Sequence, residues 1–424
     1  MEKIDINEIK RLKSINNFYE KIEINELNDL LKNINYIPEI KTIEEKENKN
    51  KKKIKQESIN NNDYENNSLN SKVKTKEKLR INLYRQRGDC KLIRYIMNKN
   101  NWIEVEDLKT ADLLWAGKPI QEEDFSMALE TKISRIPGMQ ELCHKKETGY
   151  ILNKFLEYFP ENFKFVPRTF LIPEESKKFI EFYTNKNKEN KKKHIFIAKP
   201  SNTCQGEGIL LIKDIKEIPE DKKGHVVQEY IEYPLIIDKK KFDLRLYVLI
   251  ASIDPFVCFL NEEGLARFAT ENYELPNMKN IKNNFIHLTN YSLNKMNYEN
   301  YVYTEETTLI NDGSKRTLTS FWKSIDKEGY CKKNILNSIE ELLTNLLCSI
   351  YPFVKYNLKL CYGERKIRPY QVLGIDVMID SEFKPWLLEL NSNPSFNIIH
   401  ENEAELNFPQ KFKIDKRKNK DTIS

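Results

Sequence analysis

Residues Val372–Asn391 read VLGIDVMIDSEFKPWLLELN, two apolar runs around a short polar stretch, each run interrupted by a single acid, Asp376 and Glu389. Apolar residues on both sides of a polar tetrapeptide describe two strands joined by a tight turn at Ser381–Lys384. Pairing about that turn sets Asp380 opposite Pro385, Met378 opposite Leu387 and Asp376 opposite Glu389. Side chains alternate faces along a strand. Asp376, Glu389 and Asn391 then share one face, while Ile375, Val377, Ile379, Trp386, Leu388 and Leu390 share the apolar one. Opposed side chains in such a ladder lie about 4.5–5.5 Å apart. Two carboxylates that close repel each other unless a cation sits between them. The donor types suit a hard, oxygen-liganded ion such as Mg²⁺ bridging nucleotide phosphates; the bland alternative is a half-exposed hairpin with surface acids.

Softer metals find no such set. The seven cysteines are scattered without a CxxC pair, and the five histidines show neither HxH nor HExxH spacing. Neither a disulfide scaffold nor a structural zinc site is therefore expected. The most apolar stretch, Leu244–Leu260, is broken by Arg245, Asp254 and Pro255, and falls short of the roughly 18–20 apolar residues of a membrane helix. The opening MEKIDINEIK carries charges where a signal peptide is apolar. The expectation is a soluble, intracellular chain, with neither membrane nor nucleic acid as partner.

At 424 residues and about 150 residues per domain, two or three domains are expected. Residues 1–78 form an N-terminal extension. Ile6, Ile9, Leu12, Ile15 and Phe18 allow a short amphipathic helix. The Lys/Asn/Glu mixture from 41 to 78 lacks the apolar residues to offset its ordering entropy, and reads as a disordered linker. Residues 79–164 alternate strand-like and helix-like segments, an N-terminal α/β unit. Residues 165–235 form a central unit, in which the strands HIFIAKP and GILLIK flank the loop Ser201–Gly208 and the lysine-rich stretch 185–193 reads as an exposed loop. Residues 236–400 open with a strand pair bent at Asp254–Pro255 and continue through a helix at 333–351 to the acidic hairpin. Residues 401–424 are a basic tail. The net charge of +6 is concentrated at Lys191–Lys193 and between Lys411 and Lys420, clusters that are commonly just solvated surface.

Two further segments join the hairpin. Lys199, at the end of a strand and followed by Gly206 and Gly208, could reach phosphate oxygens while the loop backbone approaches them closely. Alone it fits an ordinary hairpin loop better; the acidic hairpin downstream turns the balance toward phosphate binding. In KFDLRLYVL, alternation puts Lys241, Asp243 and Arg245 on one strand face, where either an anionic ligand or an internal ion-pair ladder would satisfy them.

Taken in order, these segments resemble the tubulin tyrosine ligase-like family of ATP-grasp ligases, and within it the polyglutamylase branch. The likeness runs from about Leu79 to Phe396. It rests on IPGM (136–139) with CHKK (143–146), FVPRT (165–169), Lys199–Pro200 with QGEG (205–208), QEYI (228–231), KFDLR (241–245), HLTNYS (287–292), GSKR (313–316), KPWLLELN (384–391) and PSF (394–396). It implies an α/β (α+β) ATP-grasp fold of three subdomains, with the nucleotide between the central and C-terminal ones. It assigns Lys199, Gln205 and Gly206 to the ATP phosphates, and Gln228, Glu229, Tyr230 and Ile231 to the adenine hinge. Lys241, Phe242, Asp243, Thr289 and Asn290 complete that pocket; Asp376, Glu389 and Asn391 hold Mg²⁺. Arg267, Tyr291, Ser292, Lys315 and Gln205 hold the incoming amino acid, and Arg245, Lys199 and Glu389 are the catalytic set.

The implied reaction is an ATP-dependent tubulin glutamate ligase. A glutamate carboxylate on a tubulin tail is phosphorylated to an acyl phosphate, and free L-glutamate then attacks to form an amide. Gln at 205 resembles chain-elongating members. The implied alternatives are a tubulin glycine ligase and a non-catalytic microtubule-binding member. Where the family shows Arg-Lys-Asp, this chain has His144, Lys145 and Lys146, leaving Lys145 as the N-terminal candidate. Docking on the acidic tails is expected from the basic tail, the Lys/Asn-rich N-terminal segment or an accessory protein. The expected setting is the cytoplasm and cytoskeleton, or a cilium, flagellum or basal body.

Overall fold

The computed structural model describes residues 78–84, 90–117, 131–189, 194–201, 203, 206–218, 224–302, 313–362 and 368–396. The expected N-terminal helix, the linker up to residue 77, the basic tail and Gln205 lie outside the described residues.

Four short parallel strands, β1 (Arg80–Asn82), β2 (Ile103–Glu104), β3 (Leu113–Leu114) and β4 (Lys132–Ile133), form the first sheet with helix α1 (Lys91–Lys99) between β1 and β2. Helices α2 (Met139–Leu142) and α3 (Lys145–Tyr158) follow. The second sheet is antiparallel: β5 (Thr169–Ile172), β6 (Phe196–Pro200), β7 (Leu210–Ile212) and β8 (His225–Glu229) in the order β5-β8-β6-β7. Helix α4 (Ser176–Glu189) packs on it through an aromatic cluster in which Phe179 meets Phe170 and Phe196 at 5.2 and 5.0 Å between ring centroids. Residues 185–189, expected in a loop, are the last turn of α4. Lysine and glutamate are good helix formers on a solvated face, and Lys186 reaches back to pair with Glu229.

The third sheet is built on the long strand β10 (Lys240–Ile253). It pairs with β9 (Ile236–Ile237), β11 (Phe256–Leu260) and β12 (Leu265–Phe268). Beyond helices α5 (Asn284–His287) and α6 (Tyr291–Asn294), strand β13 (Lys315–Thr317) extends the β12 edge; helices α7 (Leu318–Lys327) and α8 (Lys332–Tyr362) cover the apolar face. Helix α8 runs past Pro352, where the sequence reading ended it. Proline removes one backbone donor, and burial of Phe353, Val354 and Tyr362 outweighs that loss. After α8, β14 (Arg368–Pro369) joins β4 as the last strand of the first sheet. Strands β15 (Gln371–Ile379) and β16 (Pro385–Asn391) then close the third.

Alternation along β10 divides its side chains cleanly. Phe242, Leu244, Leu246, Val248 and Ile250 enter the main core, with Leu373, Ile375, Val377 and Ile379 of β15. The odd-numbered polar residues of β10 and the even-numbered residues of β15 face the other way, toward the second sheet. That inter-sheet space is the site.

Candidate active site

A cleft opens between the second and third sheets, walled by residues of both. Strand β6 contributes Ile197 and Lys199, the following loop Gly206 and Ile209, and β8 with its continuation Gln228 to Ile231. From the other side come Lys241 and Asp243 of β10, Arg267 of β12, Thr289 and Asn290 after α5, Asp376 of β15 and Glu389 of β16; Lys145 reaches in from α3. Gly206 has φ +86°, and a Cβ there would stand 3.0 Å from Asn290 Cγ. The loop closes this tightly only because it carries glycine.

The acids and arginines form one network. Arg245 donates through Nε and Nη2 to the Asp376 carboxylate, the second bond at 2.9 Å. Arg267 bridges Asp376 (2.7 Å) and Asp243 (2.6 and 2.7 Å), and Thr289 Oγ1 donates to Asp243 at 2.7 Å. The ion-pair ladder that the sequence left open for Asp243 and Arg245 is therefore present. Burial would raise the Asp376 carboxyl, but Arg267 and Arg245 hold it down to about 2.

Glu389 differs. It stands opposite Asp376 in the ladder, and among the described residues no hydrogen-bond donor reaches its carboxylate. Burial, reinforced by the Asp376 charge, pushes its carboxyl above the usual range. Asn391 Nδ2 is buried without a partner, and exchanging the two ends of that amide would present an oxygen instead. An unpartnered carboxylate, a second carboxylate and a free amide suit a hard divalent cation. Among the described residues no cluster of three or more His, Cys, Asp and Glu is placed to hold a metal, so the set is complete only with the Asn391 amide.

The β15–β16 hairpin departs from simple alternation. The Asp376–Glu389 pair is as expected, but Met378 stands opposite Trp386 and Val377 opposite Leu387, because a bulge follows Asp376. Leu387 and Leu390 both enter the core, so the two residues between them, Leu388 and Glu389, both line the cleft. Leu388 and Trp386 therefore do not share the core face expected for them. Trp386 donates Nε1–H to Asp380 and is covered by Lys384. The open edge of β16 gives the Leu387 N–H to the Phe165 carbonyl at 3.0 Å, a tertiary contact invisible to pairing within the hairpin.

Three lysines, Lys145, Lys199 and Lys241, join Arg267 as cations of the cleft lining. Lys199 Nζ donates to Gln228 Oε1 at 2.9 Å, and burial lowers its ammonium to about 8. Lys241 donates to Tyr230 Oη at 2.8 Å and lies 4.1 Å from that ring's centroid; burial lowers it to about 7. Lys145 donates to the backbone carbonyls of Pro200 and Thr203, tying α3 to the glycine loop. Lys315 lies 5.0 Å from the Tyr291 ring centroid, at about 8 through burial and the nearby charges of Arg267 and Arg245. Tyr291 and Ser292 open α6, outside the cleft lining, as are Lys315, Asn391 and Arg245. Phe242 lies in the core against Phe268 and Phe321; it sits between Lys241 and Asp243, so alternation turns it away. The apolar walls were missed by the sequence reading: Ile197, Ile209, Leu288, Met378 and Leu388. Strand alternation from Lys199 and Asp376 flags Ile197 and Met378, whereas Leu388 depends on the bulge.

A sequence profile of the tubulin-tyrosine ligase family matches residues 123–409, more than half of the chain. Tubulin polyglutamylase TTLL6 of Mus musculus is 36% identical over 330 residues, covering 77% of this chain and 38% of that protein. Tubulin polyglutamylase ttll6 of Danio rerio is 40% identical over 267 residues, 62% of this chain and 33% of the other. A probable beta-tubulin polyglutamylase of Tetrahymena thermophila is 36% identical over 290 residues, 68% and 24% respectively. The chain thus spans between about a quarter and two fifths of the length of these relatives.

Proposed function

The chain belongs to the tubulin-tyrosine ligase family and resembles its polyglutamylases, and from that premise we propose that it is an ATP-dependent tubulin glutamate ligase that lengthens glutamate chains. The supporting observation is the convergence of Lys199, Asp376 and an unpartnered Glu389 on one cleft. Ile197, Ile209 and Met378 offer apolar walls for a purine, and the segment from Gln228 to Ile231 lies along its edge. Lys145, Lys199 and Lys241 face the same space and would neutralise a triphosphate. Asp376, Glu389 and Asn391 would hold Mg²⁺, which supplies further charge neutralisation when bound.

In this reading an acceptor carboxylate oxygen attacks the γ-phosphorus and ADP leaves. The amino group of free glutamate then attacks the acyl carbon, phosphate departs, and the amine loses its proton. Phosphate leaves where hydroxide would not, so the protein's work is alignment and charge stabilisation. Arg267 in the cleft wall, with Arg245 and Lys315 near it outside the lining, would favour an amino acid with a second carboxylate over glycine. Acidic tubulin tails are the acceptor class, with docking from the basic segments or an accessory protein.

The test is mass spectrometry of tubulin tails incubated with the protein, ATP, Mg²⁺ and a mixture of free amino acids. Glutamate added to existing glutamate branches is the expected result. Glycine uptake makes the chain a glycine ligase, and no uptake of either rejects ligation.

A further inference from the structure

The FVPRT segment, residues 165–169, ends in a threonine to which the reading above gives no task. Thr169 is 2% exposed and does not line the nucleotide cleft. It borders a second pocket behind that cleft, with Cys143, Gly149, Leu152 and Val166; Lys199 and Gln228 line both. Its hydroxyl donates to the Pro167 carbonyl at 2.8 Å and accepts from Gln228 Nε2 at 2.9 Å. Gln228 Oε1 in turn accepts from Lys199 Nζ at 2.9 Å. Thr169 stands opposite Gln228 across β5 and β8, and Lys199 of β6 lies diagonally from Gln228, two residues beyond its direct partner Ile197.

We propose that Thr169 is a positioning residue for Lys199, acting through the orientation of the Gln228 amide; the proposal rests on the nucleotide reading of the cleft. A hydroxyl has one proton, and here the Pro167 carbonyl takes it. Toward Gln228 the hydroxyl can only accept, so the amide must turn its NH₂ to Thr169 and its oxygen to Lys199. The reversed amide would face N–H groups toward an ammonium, donor against donor, and release Lys199 from its seat beside the phosphates. The threonine is itself held. Asn153 Nδ2 donates to its carbonyl at 2.7 Å, and its methyl packs over Gly149, where an added Cβ would stand 3.1 Å from Thr169 Cγ2.

The experiment measures the affinity of the full chain for a fluorescent non-hydrolysable ATP analogue, in two backgrounds. With Gln228 present, Thr169→Val, nearly the same shape but without an acceptor, should weaken binding about tenfold, the scale of one hydrogen bond to a charged group. Thr169→Ser, which keeps the acceptor, should stay within about twofold of the parent. Gln228→Glu replaces the amide by a carboxylate, which has no donor end to misdirect. In that background Thr169→Val should add less than about twofold, and the difference between the two backgrounds is the coupling. An equal loss in both backgrounds, or no loss in either, overturns the relay while leaving the ligase reading intact. A parent chain that binds no adenine nucleotide overturns both. Should Thr169→Val not fold, Gly149→Ala displaces the threonine with every polar atom retained, and the same comparison decides.

Discussion

Among the described residues Glu389 is the one acid of the cleft held without a donor, and the proposed chemistry turns on it. Below its unfolded value of about 4.3 it is protonated whether the chain is folded or not, and contributes nothing to stability. Its folded value is raised, so as pH climbs through that value the folded state must ionise a crowded carboxyl, and stability is lost. Glu389→Gln should therefore melt above the parent at pH 7, with the gain vanishing at about pH 4, while turnover is abolished. Differential scanning calorimetry and tail modification check the two halves, and unaltered turnover removes Glu389 from the mechanism. The lysines give the opposite pH signature. Lys199 at about 8 and Lys241 at about 7 are partly neutral in slightly alkaline solution, and a polyanion restores their charge. Nucleotide binding should take up protons at about pH 8 and none at about pH 6, where both are already charged. Calorimetry in two buffers of different ionisation enthalpy measures this; uptake that does not change between the two pH values contradicts it.

At the scale of the element, β10 shows what a strand can declare by itself. Lys241, Asp243 and Arg245 recur at every second position, and that spacing alone predicts one polar face, which the cleft and its ion pairs occupy. The strand could not declare its partners. Arg267 lies on another strand, and its bridge between Asp243 and Asp376 is a product of the assembled sheet. The β15–β16 hairpin was legible in the Asp376–Glu389 pair and in the core positions Ile375, Val377, Ile379 and Leu390, but not in its bulge. The bulge arises because Leu387 and Leu390 both reach the core, and only the filled core reveals that. Gln205, the residue carrying the elongation reading, lies outside the described residues, so that reading still rests on the resemblance. Asp376→Asn should destabilise the fold by about 3–5 kcal/mol, since it leaves the half-buried Arg245 without its counter-charge. Urea denaturation should show a lower midpoint at unchanged slope. A loss below about 1 kcal/mol would mean that water or another acid compensates.

On the scale of the whole molecule, the segment following Asn391 ties the first sheet to the third. Ser392 O accepts from Gln371 Nε2 at 2.6 Å and from Arg135 at 3.4 Å, and Tyr247 Oη donates to Ser395 O at 2.7 Å. The Phe396 ring lies 5.5 Å from Tyr247 and 6.2 Å from Trp115. Phe396→Ala should cost about 1–2 kcal/mol through these ring contacts, and should weaken Mg²⁺-dependent nucleotide binding by loosening the chain beside Asn391. Affinities with and without Mg²⁺ check this, an unchanged ratio between them counting against it. The three units read from composition describe runs of sequence, whereas the cohesion of the protein crosses them. Residues from Ile136 to Phe155 share one core with β10, β15 and β16.

Strand β14 has a consequence for the family's diversification. Arg368 and Pro369 complete a sheet whose other strands end at Ile133, so the amino-terminal unit is borrowed in part from the other end of the chain. Grafting a relative's amino-terminal unit onto this body would join a foreign sheet to a native last strand. Any workable chimera has to carry that distant dipeptide with it.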